Sequence, residues 1–296
     1  MKEKEYFTRK INIDISVATI GINRDDWYSC KPGMTRNEVR QTMLLEKYDV
    51  VPIINKKGGF ESYFKVNKGD NTKLDVLKIE PEDRLYYLTH VRDAIWIMKK
   101  SRKTHFFLSN HHDENDIVGL LSLSNFNCRE FLVYLFSIIS YIEKEFSALI
   151  ESDAREGYEI LEKKSQTVEL KDQLKTIRDR FEQDQINENE NNYKEYLYLH
   201  HLIWLAEAEK KYESLNYRNS EEFGYDSGKL KDLRNIVAHP VKSLVRNLND
   251  LDKLYIGLNK LYEYKERLEM FAKFECRLDK QILKNENESQ QAKSVL

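Results

Sequence analysis

Apolar positions recur every three to four residues in "TRNEVRQTMLLEKY" (35–48) and "HVRDAIWIMKKS" (90–101). That spacing predicts two amphipathic helices. Between and after them, "DVVPIIN" (49–55), "THFFLS" (104–109) and "IVGLLSL" (117–123) are short apolar runs bounded by turn residues, which predict buried strands. From about residue 129 the period changes. Glycine is nearly absent up to 224, and helical patterns fill 129–151, 155–183, 193–215, 229–239 and 244–279, with "QINENENN" (185–192) as a polar break. The run "REFLVYLFSIISYIEKEFSALIES" is apolar around most of its circumference, which predicts burial on several sides. The end, "KNENESQQAKSVL", carries too little apolar surface to pack and is expected to fray.

The first half repeats itself. "MTRNEVRQTM" (34–43) aligns with "THVRDAIWIM" (89–98), and Met43 precedes Pro52 by the interval that separates Met98 from Phe107. Each copy closes on a glycine-led strand, "GGFESYF" (58–64) and "VGLLSLSNF" (118–126). Two helix–strand–strand units in tandem are able to share one core.

These residues resemble a pair of CBS domains, over most of 12–128 and more closely in the second copy. In that family the closing segment runs Gly, two apolar residues, Ser or Thr, two further positions, then Asp. The hydroxyls contact phosphate or ribose, and the Asp holds the ribose of an adenine nucleotide. In "GLLSLSN" (119–125), Ser122 and Ser124 stand at the hydroxyl positions and Asn125 replaces Asp, a neutral and weaker partner for ribose. In the first copy Ser62 fits the hydroxyl position and Lys65 takes the acidic one, where it would face a ligand phosphate. The resemblance thus implies ATP, ADP or AMP as a regulatory ligand, held by Ser122, Ser124, Asn125, Ser62 and Lys65.

In the helical half, "LRNIVAHPVKSL" (233–244) puts Arg234, Asn235 and His239 beside Leu233, Ile236 and Val237, which would bury one helix face. Polar groups of this kind do not enter a core without partners. The turn "GYDSGK" (224–229) predicts a helix start with Asp226 or Ser227 as cap, and Pro240 predicts its end at His239. Five positions carry Arg234 about 7.5 Å along the axis from His239, a gap its long side chain can cross. This arrangement resembles the HEPN family, whose motif is Arg, four to six residues, then His, with a polar residue after the Arg. The resemblance covers roughly 129–280. It implies a metal-independent endoribonuclease in which His239 handles a proton, Arg234 stabilises the transition-state phosphate, and Asn235 orients one of them. The products would be a 2′,3′-cyclic phosphate and a 5′-hydroxyl. Because one chain supplies one motif histidine, the site would form in a homodimer joined through the HEPN domains.

Composition narrows the choice of partners. The net charge of -2, from 48 Lys+Arg against 50 Asp+Glu, gives no global basic field for nucleic acid. Three scattered cysteines without a CxxC suggest neither disulfides nor zinc. "MKEKEYFTRK" lacks the apolar core of a signal peptide, and "FLVYLFSIISYI" (131–142) falls short of the roughly 20 residues that span a bilayer. The chain therefore reads as cytoplasmic. "HHDEND" (111–116) reads as a solvated hairpin loop rather than a metal site, and no ligand cluster in the helical half suits a metal, so no metal or catalytic cofactor is expected. His200 and His201, being adjacent, are expected on different sides of their helix, and the tyrosines of 193–198 and 255–264 in a core or dimer surface.

The expectation is an α+β tandem CBS pair over 1–128, an all-α HEPN bundle over 129–284 and a disordered tail over 285–296. Such a fusion would be a nucleotide-regulated toxin or antiviral and stress-response effector acting on RNA. The alternative is a non-enzymatic, nucleotide-sensing dimeric scaffold with a vestigial motif.

Overall fold

The structure, a computed structural model, describes residues 15–66, 73–110, 116–187, 192–239 and 243–294, with side chains through 273. It falls into two compact units, Met1–Tyr134 with Pro240–Tyr255, and Leu135–His239 with Ile256–Leu296. The segment after His239 returns to the first unit because Asn127 bonds both the N–H and the C=O of Val245, at 2.9 and 2.7 Å. Arg102 adds an ion pair with Asp252 at 2.9 Å.

The first unit runs α1 (Val17–Ile20), β1 (Ile22–Asn23), α2 (Arg36–Glu46), β2 (Val50–Ile54), β3 (Phe60–Val66), β4 (Leu74–Lys78), β5 (Arg84–Tyr86), α3 (Val91–Ser101), β6 (His105–Ser109) and β7 (Ile117–Ser122). One sheet has the order β1-β7-β6-β5, with β5 parallel to β6 and the other pairs antiparallel. The other is antiparallel β2-β3-β4. Strand β4 falls outside the predicted set because its residues are half-buried or exposed throughout, which leaves little apolar signal.

The repeat holds to the level of caps and register. Thr35 caps α2 in a reciprocal box with Glu38, and His90, 55 positions later, caps α3 by accepting the Arg92 N–H at 3.1 Å. Both helices end on a left-handed residue, Lys47 (φ 57) and Arg102 (φ 56). Met43 and Met98 are both buried. Cys30 bridges Ile53 in parallel, and Leu85 pairs Leu108 in parallel at the same offset. Each hairpin even carries a register shift at the same place, Ile53/Ile54 and Leu108/Ser109.

Register also corrects the sequence alignment of the closing strands. Ser62 faces Ile53 as Gly119 faces Leu108, so Ser62 is the counterpart of Gly119 and Lys65 that of Ser122. The two hairpin loops differ in length, and an alignment anchored on their glycines slips. The inward faces of the two sheets meet in one core of Trp27, Val50, Phe60, Tyr63, Phe107 and Leu120. A second core, Val39, Met43, Val51 and Phe64, seats α2 on its own sheet.

The second unit is helical. α4 (Arg129–Leu149) enters it from the first, followed by α5 (Ala154–Lys164), α6 (Val168–Ile186), α7 (Leu199–Ala208), α8 (Lys211–Ser214), α9 (Ser220–Ala238) and α10 (Leu248–Ser294). The predicted helix over 155–183 is two, because the Thr167 hydroxyl caps a new start by accepting the Leu170 N–H at 3.3 Å. α9 begins nine residues before the predicted 229. Asn219 caps it, while Asp226 and Ser227 lie buried within it, bonded to Lys260 at 3.0 Å and to Tyr264 at 2.6 Å. α10 continues through the stretch expected to fray. Glu, Gln, Lys and Ala in that stretch are good helix formers. α4 leaves Val133 and Phe136 more than half exposed, at 54% and 56%, against the predicted burial on several sides. Among the described residues no helix is long and apolar enough to cross a membrane.

Candidate functional site

In the first unit, side chains on alternate strand positions share a face. Lys65 therefore follows Tyr63 on the inward face of β3, and His105 precedes Phe107 on that of β6. His105 pairs directly with Ser122, and its ring meets Tyr63 edge-on at 5.3 Å. His105 is only 5% exposed, and its buried Nε2 has no hydrogen-bond partner among the described residues. Burial, reinforced by the charges of Lys65 and Lys103 and opposed by Asp83, pushes its pKa down to about 4. Lys103 is itself tied to Asp83 at 2.6 Å. His105 thus has Ser122 of its own repeat as strand partner, and the Lys65 charge of the first repeat is near enough to lower its titration.

The rest of the predicted ligand set is arranged differently. The Ser122 and Ser124 hydroxyls bond each other at 2.7 Å. Asn125 is buried, and its Oδ1 accepts the Ser122 N–H at 2.7 Å and the Ser122 hydroxyl at 2.9 Å. Its Nδ2 donates to the Ile20 carbonyl at 2.9 Å. Ser62 shares the face of Phe64, which packs toward α2 rather than toward the other sheet. A groove of about 650 Å³ opens near the other end of β7, lined by Gly21, Asn23, Arg24, Tyr87, Asn110 and Gly119 among others, and by none of the five predicted ligand residues.

In the second unit, Arg234 lies in the last turns of α9, half-buried. Its Nε stands 3.5 Å from Oε1 of Glu143 on α4, an ion pair without hydrogen-bond geometry. Burial raises the Glu143 pKa, and Arg234 pulls it back down. The guanidinium carbon sits 5.6 Å above the ring of Tyr198. Held by one edge and one face, the guanidinium has its Nη fork without a partner among the described residues. His239 is the exposed C-cap of α9, its backbone (φ -119, ψ 69) already outside the helical region. Pro240, the predicted cause, lies outside the described residues. Asn235 is exposed and bonds neither Arg234 nor His239. Glu143, which sequence reasoning did not single out, and Tyr198, one of the tyrosines expected in a core or dimer surface, hold the arginine instead.

Tyr198 begins α7 as its N-cap, where His201 Nδ1 accepts the Tyr198 N–H at 3.3 Å. The His200 and His201 rings lie 3.9 Å apart rather than on different sides, because in the first turn His201 folds back to the cap. His200 stacks beside Tyr198, with centroids 6.0 Å apart, and meets Trp204 at 5.1 Å. Burial, with the charges of Lys231 and Arg234, lowers its pKa to about 4. Among the described residues no cluster of three or more His, Cys, Asp and Glu could hold a metal, and 111–115 of "HHDEND" lie outside them.

No family profile and no curated protein matches the chain. Solved structures of CBS-domain proteins do. CBSX2 in complex with AMP is 12% identical, with a TM-score of 0.30, covering 37% of this chain and 91% of that one. A CBS-domain protein of Thermoplasma acidophilum is 11% identical, with a TM-score of 0.31, covering 42% of this chain and 76% of its own. One from Bacillus anthracis is also 11% identical, with a TM-score of 0.31, covering 45% and 98%.

Proposed function

We propose that the chain is a nucleotide-regulated, metal-independent endoribonuclease, with a tandem CBS sensor in the first unit and a HEPN-type catalytic domain in the second. The observation that carries the catalytic half is the Arg234 guanidinium, held at its Nε edge by Glu143 and at its face by Tyr198, with no partner for its Nη fork among the described residues. A planar fork of N–H donors suits two oxygens of a phosphate. RNA carries its own nucleophile. The 2′-oxygen attacks phosphorus, its proton passes to a base, the bond to the 5′-oxygen breaks, and that oxygen takes a proton from an acid. His239 serves one of these transfers. The sensor reading rests on the 55-residue structural repeat and on His105, which pairs with Ser122 and feels the charge of Lys65, a cationic and hydroxyl pair suited to an adenine nucleotide phosphate. A stress or antiviral toxin, acting as a homodimer, is the role such a fusion would play.

The test is cleavage of single-stranded RNA in excess EDTA, with and without ATP, ADP or AMP. Wild type cuts and leaves cyclic phosphate ends, while Arg234→Ala and His239→Ala do not. Cleavage that appears only with added magnesium or manganese overturns the mechanism. A second reading has one observation behind it: Arg234 pairs with Glu143 and touches no motif histidine, as a structural ion pair would. On that reading the protein is a sensing scaffold, and all three proteins are equally inert toward RNA.

A further inference from the structure

We propose that Tyr198 is a positioning residue for Arg234, its ring setting the plane of the guanidinium so that the Nη fork faces outward. The inference rests on the ribonuclease reading and adds a residue that neither the Arg–His motif nor its neighbours contain. An arginine has a long, rotamer-rich side chain, and one ion pair at Nε leaves the guanidinium plane undetermined. Glu143 supplies that single contact, 3.5 Å away and lacking hydrogen-bond geometry. The second constraint is the Tyr198 ring, 5.6 Å below the guanidinium carbon, where a cation is attracted to the π face.

The ring is itself anchored. Tyr198 is the N-cap of α7, its N–H is bonded to His201, and its ring abuts those of His200 and His201 at 6.0 and 5.8 Å. His201 is fully buried. A platform tied to the start of a helix moves with that helix, so the guanidinium inherits a fixed orientation. The phenolic hydroxyl has no part in this. The ring alone is required.

Two measurements on the full-length protein decide it. In RNA cleavage, Tyr198→Phe stays within about twofold of wild type, whereas Tyr198→Ala lowers kcat about tenfold with a smaller change in KM, as expected for misplacement of a transition-state group. Wild-type activity in Tyr198→Ala, or an equal loss in Tyr198→Phe, overturns the proposal. The second measurement needs no activity. Arg234 is one of the charges that lower the titration of His200, so Arg234→Gln shifts the His200 NMR titration upward. If Tyr198 holds Arg234, the same substitution in a Tyr198→Leu background shifts it by less than about half as much, a coupling read as a double-mutant cycle. Equal shifts in both backgrounds overturn the proposal. Should the wild type cut no RNA, the ribonuclease reading fails, and this cycle alone decides whether Tyr198 positions Arg234.

Discussion

The side-chain amide of Asn125 donates to the carbonyl of Ile20, 2.9 Å away and 105 positions earlier, while its oxygen receives the Ser122 N–H at 2.7 Å. One residue thus ties the end of β7 to the end of α1 by using both halves of an amide. An aspartate at this position, usual in the CBS resemblance, has no donor for Ile20 when ionised. Asn125→Asp therefore leaves a buried carbonyl facing a carboxylate, which costs about 1–3 kcal/mol. The expected result is a melting temperature lowered by several degrees, and an unchanged melt would show that the bond is dispensable.

His105 predicts a pH dependence. Its folded pKa, about 4, lies below the ordinary 6.5. Well above pH 6.5 the imidazole is neutral in both folded and unfolded chains and contributes no dependence. As pH falls from 6.5 toward 4 the unfolded chain takes the proton first, so stability is lost over that window, by on the order of 3 kcal/mol for this group. Urea unfolding at pH 7.5 and 4.5 measures the loss, and His105→Gln shrinks it. Identical losses in the two proteins would remove His105 from the account.

Gly157 is packed under Tyr193. A Cβ there would lie 2.7 and 2.8 Å from ring carbons of Tyr193, which is 4% exposed and bonded to the Ser152 hydroxyl at 2.9 Å. Gly157→Ala has better helix propensity and would stabilise an open site. Here the clash dominates, and the variant loses about 1–3 kcal/mol by overpacking. Chemical denaturation gives the sign directly.

A catalytic site formed across the proposed homodimer predicts complementation. Arg234→Ala and His239→Ala proteins are each inactive alone, and mixing them after unfolding and refolding together restores part of the RNA cleavage. A mixture as inactive as its components would mean that the motif residues act within one chain or not at all.

The sequence was legible where local chemistry sets the structure. The periodicity of α2 and α3, with Met43 and Met98 on their buried faces, and the end of α9 at His239 are each set within a few turns of helix. It was not legible where tertiary pairing decides. Asp226 and Ser227 read as caps, yet nothing in their own neighbourhood hints that Lys260 and Tyr264 await them inside a longer helix. Asn235 follows Arg234 directly and so suggested itself as its guide. Glu143 and Tyr198 lie 91 and 36 positions away and reach it only through folding. Nor does any local signal set the loop lengths that make Lys65, not Ser62, the counterpart of Ser122.

The leading strand of the first repeat is reduced to Cys30, held by its N–H to Pro52 at 2.8 Å and by the Ile54 N–H to its carbonyl at 3.0 Å. In the second repeat the same edge is a three-residue strand, β5. An edge with a single rung opens to solvent more readily than one with three. The duplicated halves are therefore unequal in local breathing: the Ile54 amide exchanges its hydrogen for deuterium before those along β6, and the first repeat is the half that gives way first.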